Sequence, residues 1–352
     1  MKIWDVIIAG GGIIGLSLAL ELRQRSIDVL VLDRGEPGRE ASAAAAGMLA
    51  AADPDTPVDL RLFAVESARL YPEFVQKLQA ASGTNVDFRR QGTLVFLKSS
   101  DLESSRVPPG HITLSSDELD RLEPRLQARG RSAYFLQEDS VDPDLLLQAA
   151  VKAVRHAGVE IRSHAAVQRM LAQGGSIEVT SGEERFVGRV AVNCQGAWAG
   201  APVRPRKGQM CYLRPQSLDS LKHVVRAPEA YLVPRSSGKI LVGATVEDAG
   251  FDKSVEPETV EKLRRAAAVL IPELAAAPIM QSWAGLRPGT PDDLPIMGET
   301  ETPGILVSSG HFRNGILLAP VSAKVMADLI TGTPLRMDLG PFSPARFAAA
   351  RV

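Results

Sequence analysis

Between Trp4 and Asp33 the chain reads WDVIIAGGGIIGLSLALELRQRSIDVLVLD, and no other stretch restricts its fold as much. The apolar run Trp4 to Ala9 predicts a buried strand, and Val29 to Leu32 predicts a second. Between them, Ile13 to Arg25 carry helical periodicity. The turn joining the first strand to the helix holds Gly10, Gly12 and Gly15 in the spacing G-x-G-x-x-G. The first glycine permits a tight bend, the second lets backbone approach a pyrophosphate, and the third lets the helix pack closely on its strand. Unpaired N–H groups and a positive dipole end at the helix start suit phosphate. Asp33 closes the second strand eighteen residues beyond Gly15. A carboxylate there accepts from a ribose 2′-OH and repels a 2′-phosphate. The unit therefore reads as a dinucleotide site, and this motif alone leaves FAD and NAD both open.

Val6 to Leu22 is also the one segment with the look of a targeting signal. Four glycines interrupt it, it lacks a basic flank, and it is too short to span a bilayer. The expectation is no integral membrane segment and a cytoplasmic, reducing location. Cys194 and Cys211 are too few for a disulfide framework and lack metal-ligand spacing; five scattered histidines build no zinc site, so no metal is expected. Lysine plus arginine (40) balances aspartate plus glutamate (41), which gives no electrostatic footprint for nucleic acid.

The 352 residues allow two domains. After an alanine-rich stretch at 41–52 and the loop DPDTPVD, helical patterning runs from Leu60 to Ala81. Residues 86–98, VDFRRQGTLVFLK, alternate like sheet, and 99–116 reads as exposed polar surface. Asp142-Pro143 places an acceptor at an N-cap and proline at the first helical position; that helix should run to about His156 and end at Gly158. A strand from Val159 to Arg162 follows. From 206 to 294 strands and turns dominate, with AYLVPRSSGKILVGAT as a hairpin turning at RSSG. The expected class is α/β in the two-domain, α+β sense. A Rossmann-type domain is drawn from 1–85, 142–205 and 295–352; a mainly antiparallel substrate domain is drawn from 86–141 and 206–294.

Other segments carry two readings each. EASAAAAGML, from Glu40, is an alanine-rich helix start capped by Ser42, or a run of tiny side chains admitting a bulky ring. In AVNCQGAWAG a strand ends at Asn193; Gly196 then leaves room for a ligand at the sheet edge, or Trp198 simply fills core. In SWAGLRPGT, Trp283, Gly285 and Arg287 share a strand face, so Arg287 either meets a ligand carboxylate with paired charge-assisted bonds or lies at the surface. Tyr231 is a hydroxyl donor to the same group or a cross-strand aromatic, and Met48 is ring neighbour or core filler. In SSGHFRNGILLAPVSA, Gly310 and Gly315 bracket a turn before a helix starting near Ile316. Pro320 is expected in or near its first turn, with Leu318, Val321, Val325 and Leu329 facing inward.

The strings AAAAGML, YLVPRSSGKILVGAT, WAGLRPGTPDDLP and GHFRNGILLAP resemble, in order along nearly the whole chain, the D-amino-acid oxidase superfamily, and within it the glycine oxidases of thiamine biosynthesis. The resemblance implies FAD and oxidation of a small amino acid to its imine, with hydrolysis to the oxo acid (glyoxylate from glycine) and ammonia and with oxygen reduced to peroxide. It assigns Ile13, Ile14, Asp33, Arg34, Ala41, Ser42, Ala46, Gly47 and Met48 to the flavin dinucleotide, beside Gly10, Gly12, Gly15 and Gly196 of the motif and sheet edge above, with Val167 joining through its backbone. It gives the substrate carboxylate to Arg287, assisted by Tyr231, and a second substrate contact to Arg313 at the flavin edge; Met48 borders the same pocket. His311, Phe312, Arg313, Asn314, Gly315 and Ile316 form a floor whose helix end faces the flavin N1–C2=O region, with His311 a satisfied loop histidine rather than a base.

No catalytic side chain is strictly required, because a neutral amine can lose its α-hydrogen as hydride. Val246 replaces an expected methionine, which implies room for a bulkier substrate. Ala44 stands where some relatives attach flavin through histidine, and the C-terminal third has no cysteine, so FAD should be non-covalent. A homo-oligomer and a thiazole-forming partner enzyme are compatible with this reading. The alternatives are a sarcosine, D-amino-acid or D-proline oxidase or dehydrogenase, a non-catalytic FAD-binding subunit, and an NAD-dependent dehydrogenase.

Overall fold

A computed structural model describes residues 2–97, 110–128, 130–216 and 221–351. The opening unit forms as its pattern requires: strand Ile3–Ala9, helix Ile13–Gln24 and strand Val29–Leu32. The two strands pair in parallel, Val6 against Val29 through Ala9 against Leu32. From Val6 to Ala9 and from Val29 to Leu32 both are buried on each face, which is why they read as continuous apolar runs rather than as alternation. The sheet runs in the order Arg169–Gln173, Ser176–Ser181, Glu184–Asn193, Ile3–Ala9, Val29–Leu32, Glu160–Arg162. Ile305–Ser309 adds in parallel to the end of Glu184–Asn193, and Ile296–Glu299 pairs antiparallel with it.

Helices Val58–Ser82, Pro143–His156 and Gly315–Thr331 pack with Ile13–Gln24 into one apolar core. The Asp142 side chain accepts from the amides of Asp144 (2.9 Å) and Leu145 (3.3 Å), so the expected cap is present.

Gly315–Thr331 departs from expectation at Pro320, which is the sixth helical residue and so lies in the second turn. Proline there removes the donor that Ile316 carbonyl would have used. A neighbouring helix repairs the loss: Tyr71 donates to the Ile316 carbonyl at 3.2 Å, and Ser67 donates to that of Leu317 at 2.6 Å. Nor does this helix present one apolar stripe. Leu318, Val321 and Val325 are buried and Leu329 is half-buried, but every residue from Ile316 to Ala323 is also buried. By length and composition Phe312–Thr331 could cross a membrane, yet 67% of its most apolar window is inside the protein, as befits a core helix.

The second large sheet is mainly antiparallel, in the order Ile279–Gly289, Arg204–Leu213, Ile240–Gly243, Tyr231–Pro234, Val224–Arg226, Thr93–Leu97, Ser132–Leu136, Ile112–Leu114. Only Val224–Arg226 and Thr93–Leu97 pair in parallel. Helix Pro257–Leu270 covers its apolar face. The expected hairpin is present, with Gly238 bonded back to Arg235 at its turn.

Residues 86–98 do not form one strand. Gly92, at φ +83°, breaks the run, and a side chain there would strike Phe135. Upstream, Phe88–Arg89 joins a small three-stranded sheet with Asp139–Val141 and Met48–Leu49. Of the polar stretch 99–116, residues through 109 lie outside the described residues; beyond them Ile112–Leu114 is a strand and Ser115 starts a short helix with a reciprocal Ser115–Glu118 cap. Residues 110–113, 115 and 116 are exposed, as expected of that part of the stretch.

Candidate active site

A cleft of about 1530 Å³, counting open solvent at its mouth, runs along the carboxyl ends of the parallel strands and under the Ile279–Gly289 strand. Its dinucleotide end is made of backbone. Gly10 sits at φ +109°, where a side chain would strike the Cys194 carbonyl; a side chain at Gly15 would strike the carbonyl of Gly10. Gly15 therefore lies beneath the cleft lining rather than in it, bringing helix against strand. Gly10, Gly12, Ile13 and Ile14 face the cleft.

Residues 41–45 form turns, not the alanine-rich helix start that Ser42 was expected to cap. Ser42 caps a different helix instead: its hydroxyl accepts from the Ile13 amide at 3.1 Å. Asp33 accepts from the Gly11 amide at 2.6 Å and the Gly35 amide at 2.8 Å, so it also holds the glycine turn in shape. Burial raises its carboxyl above the ordinary value, with these two amides opposing. The Arg34 guanidinium lies 3.9 Å over Trp198, which stacks in turn on Phe251. Trp198 is thus half-buried cleft wall rather than core. The Val167 carbonyl accepts from Gln195 Nε2 at 3.1 Å, and Gly196 has open space where a side chain would stand.

The far end of the cleft is made of side chains that glycines admit. A side chain at Gly208 would overlap the Arg287 guanidinium, one at Gly243 the Tyr231 ring, and one at Gly285 the Ala44 methyl. Gly208 and Gly285 pair across the Arg204–Leu213 and Ile279–Gly289 strands, so one register places both gaps together. Into this space Arg287 projects with its Nη1 anchored on two carbonyls, Thr245 at 3.2 Å and Lys207 at 3.4 Å. It makes no ion pair among the described residues. Tyr231 donates to the Met210 sulfur at 3.2 Å, and burial pushes its phenol up, with Arg287 opposing. The hydroxyl therefore stays protonated and able to donate.

The floor is the expected one in position. His311, Phe312, Arg313, Asn314, Gly315 and Ile316 all line the cleft. The His311 ring is buried and bonded to the Ser322 hydroxyl at 3.1 Å, and burial lowers its pKa to about 3. The ring is thus held neutral by burial and engaged by Ser322. Arg313 is half-exposed, its Nη2 3.7 Å from Asp53. A 3-10 turn, Phe312–Asn314, runs directly into the helix, and Asn314 at its cap makes no side-chain bond.

A family model described as DAO, FAD dependent oxidoreductase, matches residues 5–329. The chain belongs to this family. The glycine oxidase of Bacillus licheniformis is 33% identical over 353 residues, covering 96% of this chain and 95% of its own. A bifunctional ThiO/ThiG protein from Nostoc is 36% identical over 344 residues, 93% of this chain; the chain spans about half (52%) of that relative's length. Among solved structures, glycine oxidase from Geobacillus kaustophilus superposes with a TM-score of 0.92 at 30% identity, covering 97% of this chain and 98% of that one.

The cleft fits the family's cofactor. A helix amino end at Gly12, tiny residues at Ala41, Ala44, Ala45 and Ala46, and a second helix end at Gly315 offer room and donors to a dinucleotide bearing a large ring. Two expected members lie elsewhere. Gly47, at φ +75°, lets Met48–Leu49 pair with Asp139–Ser140, since a side chain there would overlap the Val141 carbonyl. Val246 is 56% exposed and outside the lining. Its neighbour Thr245 turns its hydroxyl inward to the Gln209 amide, so Val246 faces out and does not gauge pocket size.

Several residues escape the sequence reading. Arg235, placed in an ordinary hairpin turn, is buried and bonds the Ala46 carbonyl at 2.7 Å and that of Val141 at 3.0 Å, riveting the alanine segment in place. Gln195, Met210 and Asp53 also line the cleft. Only Gln195, one residue from the expected sheet-edge glycine, carried a local signal.

Proposed function

We propose that this DAO-family protein oxidises a small amino acid, glycine foremost, to the imine, which hydrolyses to glyoxylate and ammonia while oxygen is reduced to peroxide. The observation that carries this reading is Arg287, unpaired by any carboxylate among the described residues, in a glycine-cleared space beside the Tyr231 hydroxyl. A guanidinium so placed takes a carboxylate through two parallel charge-assisted bonds, and the phenol adds a third donor. FAD, when bound, supplies the acceptor for the α-hydrogen and its electron pair. The protein's part is orientation: Arg287 and Tyr231 fix the carboxylate, and with it the α-carbon, against the floor. Burial holds the His311 ring and the Tyr231 phenol uncharged at neutral pH, so neither adds a charge beside the amine. Non-covalent FAD is supported by Ala44 and by burial of both thiols, each pushed up to about 12. Service to thiazole synthesis is supported by the ThiO/ThiG relatives.

The test is a substrate panel of glycine, sarcosine, D-alanine and D-proline read by peroxide release. Glycine should give a kcat/KM within about tenfold of the best; a deficit of about a hundredfold against a bulkier amine would replace glycine as the named substrate. No peroxide with any of them would favour a flavoprotein without amine chemistry.

A further inference from the structure

Two arginines stand at the substrate end of the cleft, and they are not equivalent. Arg287 makes no ion pair among the described residues and touches only carbonyls and the Tyr231 hydroxyl. Arg313 faces a carboxylate: Asp53 Oδ2 lies 3.7 Å from its Nη2 and 3.2 Å from Nη1 of Arg226. Asp53 is built into place. Its Oδ1 accepts from the Asp55 amide at 2.9 Å, and its side chain is 19% exposed. The preceding residue, Ala52, donates its amide to Glu138 at 3.1 Å, and Glu138 holds Arg226 at 2.8 Å. Two arginines thus face two carboxylates, and only Asp53 of those carboxylates lines the cleft.

We infer that Asp53 makes this a one-carboxylate site, by occupying the arginine that would otherwise receive a second anionic group. The inference rests on the proposed amino-acid oxidation and names its specificity. A monocarboxylic amine needs Arg287 alone. An amine with a second carboxylate, such as iminodiacetate, would bring that group to Arg313, where it meets Asp53 in a half-buried setting that screens like charges poorly. With Asp53 neutral, Arg313 and Arg226 together carry one positive charge beyond what Glu138 balances, and that excess faces the cleft.

Asp53→Asn tests this, since its side-chain oxygen still accepts from the Asp55 amide. In the FAD-loaded full chain, acetate and malonate are titrated against the bound flavin's absorption, which needs no turnover. Sarcosine and iminodiacetate are compared by kcat/KM. The Asn variant should bind malonate about tenfold more tightly with acetate changed less than about threefold, and its iminodiacetate-to-sarcosine ratio should rise about tenfold. Adding Arg313→Gln to that variant should abolish the gain. Parallel changes for malonate and acetate, or no change in either, would overturn the inference. If Asn lowers FAD content, Asp53→Ser gives the same comparison. If the wild type oxidises no amine, the proposed function fails, while the malonate-to-acetate binding ratio still decides the role of Asp53.

Discussion

Gly15 and Gly315 both lie within the first turn of a helix that points at the same cleft, yet the protein needs them for different reasons. A side chain at Gly15 would overlap the Gly10 carbonyl, so the fold itself demands glycine there. A side chain at Gly315 would meet only the His311 Cβ, at 3.6 Å, an ordinary contact on a backbone of ordinary helical dihedrals. The first glycine makes the cleft, and the second keeps it open for something that is not protein. The same contrast divides the whole site. The dinucleotide end is backbone held against backbone, whereas the substrate end is side chains standing in gaps left by Gly208, Gly243 and Gly285.

Substitution can break or sharpen that contrast. Gly15→Val should cost about 3 kcal/mol of stability, measured by urea unfolding of the FAD-free protein, because backbone must move to admit it. Gly315→Val should leave that unfolding within about 1 kcal/mol of wild type while weakening FAD binding about tenfold or more. Equal destabilisation by both, or unchanged FAD affinity in the second, would erase the distinction. A smaller loss is expected beneath the second helix. Ser67→Ala removes a buried bond to the Leu317 carbonyl beside the Pro320 gap, at a cost of about 0.5–1.5 kcal/mol. An unchanged unfolding midpoint would show that the helix supports itself.

A further effect is in pH dependence. His311 stays neutral in the fold to about pH 3, whereas its unfolded form takes a proton below its ordinary value of 6.5. The unfolded chain therefore binds more protons between these limits, and stability falls as pH drops through them by up to about 1.4 kcal/mol per pH unit. His311→Asn should make that acid slope shallower by this amount. Identical slopes would mean the ring is solvated.

What could be read in advance follows the same division. Gly10, Gly12, Gly15 and Asp33 work through bonds and contacts spaced as in the sequence, so the strand–turn–helix–strand unit was legible, as were the hairpin and the Asp142 cap. The Pro320 repair was not, because Tyr71 and Ser67 stand 245 and 250 residues from the carbonyls they satisfy. Ser42 was legible as a cap but not as the cap of a helix whose first amide is 29 residues away. That Val246 faces outward was not legible, because no local pattern says which way the chain turns after Thr245. The Asp53–Arg226–Glu138 cluster joins a loop, a strand and a turn from three parts of the chain, and only folding makes it visible.

Arg287 is proposed to hold the carboxylate of a small amino acid against the cofactor of this DAO-family protein. The most direct test is an anaerobic glycine titration of the FAD-loaded wild type and Arg287→Ala, followed by loss of the oxidised flavin's absorption. Wild type should bleach saturably, and the variant should need about a hundredfold more glycine, the equivalent of about 2–4 kcal/mol of charge-assisted binding. Bleaching at the same glycine concentration in both proteins would contradict the account.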